Sequence, residues 1–254
     1  MPTPPPDVVD RLRAAGCVFA EEEAALLVSA ASGPDELERM LADRAAGRPL
    51  EQIVGWAEFR GLRVVVEPGV FVPRRRTELL ARLAAAAAAP GSVVVDLCCG
   101  SGALGAAVLD VATDAEVYAA DLDPAAVHCA RRNLPPDRVF EGDLYDALPD
   151  RLRSRVDVLV VNAPYVPTGS IALMPPEARD HEHRVALDGG SDGLDVHRRV
   201  VAGAGDWLTG TGLLLVEASP AQAPLTAALM TAAGLRPRVE HDDEVGGTCV
   251  VGRR

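Results

Sequence analysis

Short unbroken runs of strand-forming residues, each set apart by a helix-length segment, limit what this chain can fold into. Val93-Val94-Val95-Asp96 is the first such run, and Glu116 to Asp121, Arg138 to Glu141, Asp157 to Val161 and Gly212 to Glu217 follow it. Helical sequence occupies 103–112, 124–133 and 192–208, and Glu78 to Ala89 forms a helix stopped by Pro90-Gly91. Strands that are apolar along their whole length are buried on both faces, as in parallel sheets covered by helices on either side. The expected class is therefore α/β, with a mostly parallel sheet. Val239 to His241 and Thr248 to Val251 read as a late hairpin that closes it.

Ahead of this repeating pattern, residues 7–47 read as helices. Val8, Val9, Leu12 and Ala15 recur at helical spacing, and Pro34-Asp35-Glu36 opens a segment carrying Leu37, Met40 and Leu41. Leu62 to Val66 is strand-like and Glu67-Pro68-Gly69 a turn, so 48–76 reads as a β-hairpin linker. The expected division is a helical domain over 1–47, the linker over 48–76 and the main α/β domain over 77–254.

The ends of the strands carry the chemistry. Asp96-Leu97-Cys98-Cys99-Gly100-Ser101-Gly102 follows the first strand and opens a helix. Glycines there let the backbone approach a nucleotide-like ligand above the sheet. A tight strand-to-helix turn with no ligand has the same signature. Asp121 ends the second strand, where a carboxylate can take both hydroxyls of a ribose. Asp143 follows the third and could approach an adenine amino group, with Leu144 against the ring. Three acids facing one crevice would repel a pyrophosphate but suit S-adenosylmethionine, a nucleoside with a sulfonium cation and no phosphate. Each acid alone could equally be a helix N-cap or turn residue.

The fourth strand runs into Asn162-Ala163-Pro164-Tyr165. A plain prolyl turn is one reading. The other is a clamp for an amide nitrogen, whose delocalised lone pair makes it a poor nucleophile. The Asn162 side-chain carbonyl and a backbone carbonyl of the turn would accept both N–H groups, fix the nitrogen for in-line attack and stabilise its developing positive charge. Tyr165 would supply a wall.

These motifs resemble the HemK/PrmC-type protein glutamine N-methyltransferases over roughly residues 48–252. Pro49 to Gly55 and Phe59 look like that family's linker, and Phe71-Val72-Pro73-Arg74-Arg75-Arg76-Thr77-Glu78 like its PRPETE segment. Asp96 to Gly102 matches its cofactor motif and Asn162 to Tyr165 its NPPY motif. Pro175-Pro176-Glu177, His181-Glu182, Ala186 to Gly190 and Asp192-Gly193-Leu194 match its post-motif loop, which general methyltransferases lack. The resemblance implies a seven-stranded, Rossmann-like class I methyltransferase sheet with a small N-terminal helical domain. It implies methylation of the glutamine in the Gly-Gly-Gln loop of a class-1 release factor, or of a ribosomal protein in some relatives. It assigns Asp96, Cys98, Cys99, Gly100, Ser101, Gly102, Asp121, Asp143, Leu144 and Asn162 to S-adenosylmethionine. Asn162, Ala163, Pro164 and Tyr165 go to the acceptor, with Asn162, Pro164 and Tyr165 in the chemistry. Three positions depart from the pattern: Ala163 replaces the first proline of NPPY, Cys98 a glycine, and Leu144 a tryptophan.

Composition narrows the alternatives. With 25 Lys+Arg against 37 Asp+Glu, the formal charge is -12, which disfavours a uniform grip on nucleic-acid phosphates. No 18-residue apolar window suggests a membrane span, and Met1 to Pro6 lacks a signal-peptide pattern. Five scattered cysteines suggest reduced thiols in a cytoplasm. Cys98-Cys99 with His128-Cys129, and His181-Glu182-His183, lack the spacing of a metal site, so no metal is expected. Two other functions compete with glutamine methylation: N-methylation of a small amine or amide, and a non-catalytic module that keeps the cofactor crevice.

Overall fold

The structure, a computed structural model, describes residues 4–254. Residues 1–3, part of the N-terminus read above for a leader signature, lie outside the described residues. Helices α1 (Pro6–Ala14), α2 (Ala20–Ala30) and α3 (Pro34–Ala45) come first. Proline opens both α1 and α3, where its missing N–H costs no helical bond. Val8, Val9, Leu12, Ala24, Leu27 and Leu41 bury one apolar cluster between these helices, apart from the core of the main sheet.

A short helix α4 (Leu50–Val54) then precedes the hairpin of β1 (Trp56–Phe59) and β2 (Leu62–Val65). The sequence reading of 48–76 as a hairpin thus missed one turn of helix, ended by Gly55 at φ 81°. The hairpin turns at Arg60-Gly61, and Glu67-Pro68-Gly69 is a separate turn after β2, closed by the Val70 N–H on the Glu67 carbonyl at 3.2 Å.

The remaining elements alternate. They are α5 (Glu78–Ala87), β3 (Val93–Leu97), α6 (Ala103–Val111), β4 (Glu116–Asp121), α7 (Pro124–Ala130), β5 (Val139–Glu141) and β6 (Val156–Val161). After them come α8 (Pro176–His181), α9 (Asp195–Trp207), β7 (Leu208–Glu217), α10 (Ala223–Ala232), β8 (Arg236–Asp242) and β9 (Gly247–Arg253). The seven-stranded sheet has the order β5-β4-β3-β6-β7-β9-β8. β3 to β7 are parallel, and β9 runs antiparallel to both β7 and β8. This is the Rossmann-like class I arrangement. The sequence reading places every sheet strand, but β7 starts four residues earlier, straight after α9, and α8 and α10 were not foreseen. In α10 only Ala223, Thr226 and Met230 are buried, and its other face is nearly as apolar, so the periodicity is weak.

Alternate residues of each strand face opposite sides. Val94, Val117, Val158 and Leu215 pack under α5 and α6, while Val95, Leu97, Leu159 and Leu214 pack against Trp207 and Val200 of α9. β3 is central. The chain leaves it outward through β4 and β5, then returns to its other side through β6 and β7. A crevice opens where the strand order reverses, above the carboxyl ends. Among the described residues no helix is long and apolar enough to cross a membrane.

Candidate active site

The crevice holds a cavity of about 850 Å³. Its floor is the turn after β3. Cys98, Cys99, Gly100 and Ser101 line it, with Cys98 at φ 57° and Gly100 at φ 55°. A side chain on Gly100 would meet only the Phe71 Cβ, at 3.9 Å, so the turn presents bare backbone to the cavity. Gly102 differs. It does not line the cavity, and at φ 78° it starts α6 with a Cβ position 3.0 Å from Leu134 Cδ1 and 3.2 Å from Ala130 Cβ. Its place is close helix packing.

The expected trio of acids divides in the same way. Asp121 and Asp143 line the cavity, whereas Asp96 is fully buried beneath the glycine turn. One Asp96 oxygen accepts the Gly105 N–H at 3.0 Å, and the other has no partner among the described residues. Burial pushes its carboxyl up to about 7, opposed by that N–H and reinforced by the Asp121 charge. Asp121 accepts the N–H of Gly100 at 2.8 Å and that of Asp123 at 2.9 Å. Burial raises its pKa against these bonds. Asp143 carries a partner the sequence did not reveal, Arg199 of α9, at 2.7 Å. Leu144 takes φ 50° and packs at the cavity edge.

Asn162, Ala163, Pro164 and Tyr165 leave β6 along the opposite wall. The Asn162 Nδ2 donates to Thr77 Oγ1 at 3.4 Å, and the Tyr165 hydroxyl lies 3.4 Å from Glu217 Oε1. Glu217 ends β7 and is 2% exposed, and Arg76 reaches the same oxygen at 3.4 Å. Burial raises both the Glu217 and the Tyr165 pKa. Gln222, just before α10, and the post-motif loop brace this wall from behind. Gln222 Nε2 donates to the Tyr165 carbonyl at 2.9 Å, and a side chain on Gly193 would strike the Tyr165 carbonyl. Glu182, in the same loop, is buried against the Val72 N–H and Arg74, and His183 meets Asp123 beside the cofactor turn. The loop therefore ties both sides of the crevice together. Thr77 was read only as part of the PRPETE-like segment, and Glu217, Gln222 and Arg199 were given no site role from the sequence, because each reaches the site from a distant element.

The donor set fits a cationic nucleoside better than a pyrophosphate. Arg74, Arg76, Arg184 and Arg199 line the cavity, and each is paired with a carboxylate: Glu182, Glu217, Asp188 and Asp143. None is left as a free clamp for phosphate. The apolar wall, the Asp121 carboxylate and the open glycine turn suit S-adenosylmethionine. Among the described residues no three His, Cys, Asp or Glu side chains are grouped to hold a metal. Glu182 and His183 point to different partners, and Cys129 faces the Val65 carbonyl.

The methyltransferase small domain family matches residues 61–174. The chain is 36% identical over 228 residues to the release factor glutamine methyltransferase of Geobacter sulfurreducens, covering 87% of this chain and 79% of that one. It is also 36% identical over 200 residues to the 4-amino-L-phenylalanine/4-methylamino-L-phenylalanine methyltransferase of Streptomyces pristinaespiralis, covering 75% and 68%. In fold it is similar to a methyltransferase from Pyrococcus furiosus, with a TM-score of 0.56 at 15% identity over 86% of this chain and 98% of that one. With this degree of identity over most of both chains, the protein belongs to the release factor glutamine methyltransferase family.

Proposed function

We propose that the protein transfers a methyl group from S-adenosylmethionine to the side-chain amide nitrogen of a protein glutamine, in the Gly-Gly-Gln loop of a class-1 release factor. The observation that carries this reading is Asn162. Its amide is held by Thr77 at the wall of the cavity that the Gly100 turn and Asp121 also line. Such an acceptor would place the enzyme in the cytoplasm. The helical segment 1–47 and the hairpin segment 48–76 would serve as a separate domain and its linker to the catalytic domain over 77–254.

When bound, the cofactor supplies a methyl group made electrophilic by its sulfonium. The chain's own residues do the rest. Asp121 takes the ribose hydroxyls while holding the Gly100 turn in shape. Asp143 and Leu144 border the adenine, and the backbone of Cys98 to Ser101 lies against the nucleoside. Asp96 supports the turn from below through Gly105. On the facing wall, Asn162 Oδ1 and a backbone carbonyl of Ala163-Pro164 accept the two N–H groups of the glutamine amide. Held this way, the nitrogen lone pair points at the methyl and the growing positive charge meets two oxygen dipoles. Tyr165 closes the wall. The proton lost after transfer goes to solvent, because an N-protonated amide is a strong acid.

The Streptomyces pristinaespiralis relative supports a second reading, N-methylation of a small aromatic amine. Tritiated S-adenosylmethionine offered with a class-1 release factor in one reaction and 4-aminophenylalanine in another separates the two. Label on the release factor glutamine is the expected result. Cofactor binding without turnover on either acceptor or in cell extract would favour a non-catalytic module. Asn162→Ala should slow transfer about 100-fold or more while cofactor affinity changes little.

A further inference from the structure

We propose that Arg44 is a positioning residue for the acceptor: together with Gln52 it holds the short helix α8 as a wall of the cavity, so that the helical segment 1–47 sets the space offered to the glutamine-bearing loop. The inference rests on the reading of the acceptor as a protein glutamine.

α8 cannot place itself. It has six residues, of which only Ala178 is buried. An isolated helix in water is marginal below about 12–15 residues. Yet Met174, Pro175, Glu177 and Ala178 all line the cavity. The excursion that carries α8 is closed at its base, where the Val166 N–H donates to the Leu187 carbonyl at 3.0 Å and the Val166 carbonyl accepts the Gly189 N–H at 2.9 Å. Those bonds leave the helix itself free, so something beyond its own apolar contacts must fix it.

The helical segment does so. Arg44, in the last turn of α3, is gripped by Glu23 of α2, with Nε 2.6 Å from Oε2 and Nη2 3.2 Å from Oε1. These two side chains are only 10% and 12% exposed. The remaining nitrogen, Nη1, pairs with Glu177 Oε1 at 2.6 Å. An ion pair between two flexible surface chains contributes little, because both must be fixed. Arg44 is fixed beforehand, so only Glu177 has freedom to lose. At the far end of α8, the buried Gln52 donates from Nε2 to the His181 carbonyl at 3.2 Å and to the Val70 carbonyl at 3.0 Å. Gly47, in the turn after α3, lies against the same residue: a Cβ there would be 3.8 Å from His181 Nε2. Arg44 itself does not line the cavity, so it acts on the acceptor only through α8.

Hydrogen exchange read by mass spectrometry tests the hold. The Arg179 and Glu182 amides are bonded to the Pro175 and Ala178 carbonyls within α8. Glu177→Ala, at a half-exposed site, should speed exchange over 176–182 about tenfold, the low end for a hydrogen bond to a charged group, with β3 to β6 unchanged. Arg44→Met is made together with Glu23→Gln, so that no carboxylate stays buried alone, and should do the same relative to Glu23→Gln. Kinetics with tritiated S-adenosylmethionine and a class-1 release factor test the consequence. In both variants KM for the release factor should rise about tenfold, with kcat and S-adenosylhomocysteine affinity within about threefold, because Asn162 and the cofactor turn are untouched. Glu177→Gln, whose carbonyl can still accept from Arg44, should keep KM within about threefold of wild type. All three substitutions combined should raise KM no further than Glu177→Ala alone. Unchanged exchange, an unchanged KM, or additive losses in the combined variant would overturn the positioning role. If the wild-type protein does not label the release factor, the acceptor reading fails instead, and exchange still decides whether Arg44 holds α8.

Discussion

The Asp121 carboxylate accepts the backbone N–H of Gly100 at 2.8 Å, joining the end of β4 to the glycine turn after β3. One acid thus shapes the floor of the crevice and faces its contents. The parallel register of the two strands, which sets Leu97 opposite Ala120, brings these residues together.

Asp121→Ala therefore removes two things at once. Ribose hydroxyls lose their acceptor, and the Gly100 N–H loses its partner. Together they should take about 1.4–2.8 kcal/mol from binding, so affinity for S-adenosylmethionine should fall roughly 10- to 100-fold. Calorimetric titration measures it, and an unchanged Kd would remove Asp121 from the cofactor site.

Gly100→Ala and Gly102→Ala should separate binding from folding. Both positions have positive φ, which costs an L-residue about 1–2 kcal/mol. At Gly100 the added methyl enters open space in the cavity, so cofactor affinity should drop more than thermal stability. At Gly102 it meets Leu134 and Ala130, so the melting temperature should drop more than affinity. Equal effects on both quantities in both variants would contradict the assignment of one glycine to ligand and one to packing.

Gln222→Ala should leave the Tyr165 carbonyl without its donor in the interior. That costs about 1–3 kcal/mol of stability by denaturant titration. The acceptor wall loses its brace, so methyl transfer should slow while S-adenosylhomocysteine still binds normally. A variant with full activity and full stability would show that Gln222 does not support the turn.

His197 is buried in α9 with Nδ1 on Thr226 Oγ1, and its Nε2 has no partner among the described residues. Burial, helped by the Arg198 charge, lowers its pKa from 6.5 to about 4. The folded state thus prefers the neutral ring. Its contribution to stability is complete above the unfolded value and is lost as pH falls from 6.5 towards 4, where it levels off. The loss should reach about 3 kcal/mol. Buried acids with raised pKa values push the other way, so the comparison of wild type with His197→Gln isolates the effect. Denaturant titrations at pH 7 and pH 4.5 should show wild type losing roughly 2–3 kcal/mol more than the variant. Parallel losses would mean the ring is protonated in the fold.

Much of this protein can be read along the chain, because local chemistry determines it. Val93 to Leu97 or Val156 to Val161 can only be strands buried on both faces, and alternation with helices makes the sheet parallel. Strand ends in such a sheet converge on one crevice, so Gly100, Asp121, Asp143 and Asn162 share a cavity. What could not be read was the company these residues keep. Asp96 looks like Asp121 in sequence, yet the turn folds over one and leaves the other at the cavity. Gly102 looks like Gly100, yet α7 and the following Leu134 crowd only the first. Thr77 lies 85 residues from Asn162, Arg76 lies 141 from Glu217, and Asp143 lies 56 from Arg199. Hydrogen bonds act over about 3 Å, and no periodicity or motif spacing encodes which distant side chains come that close. The sequence alone determined the sheet, the crevice and the residue types at its rim. Only the packing of α5, α9 and the post-motif loop against the strand ends decided which of those groups face a ligand and which are neutralised.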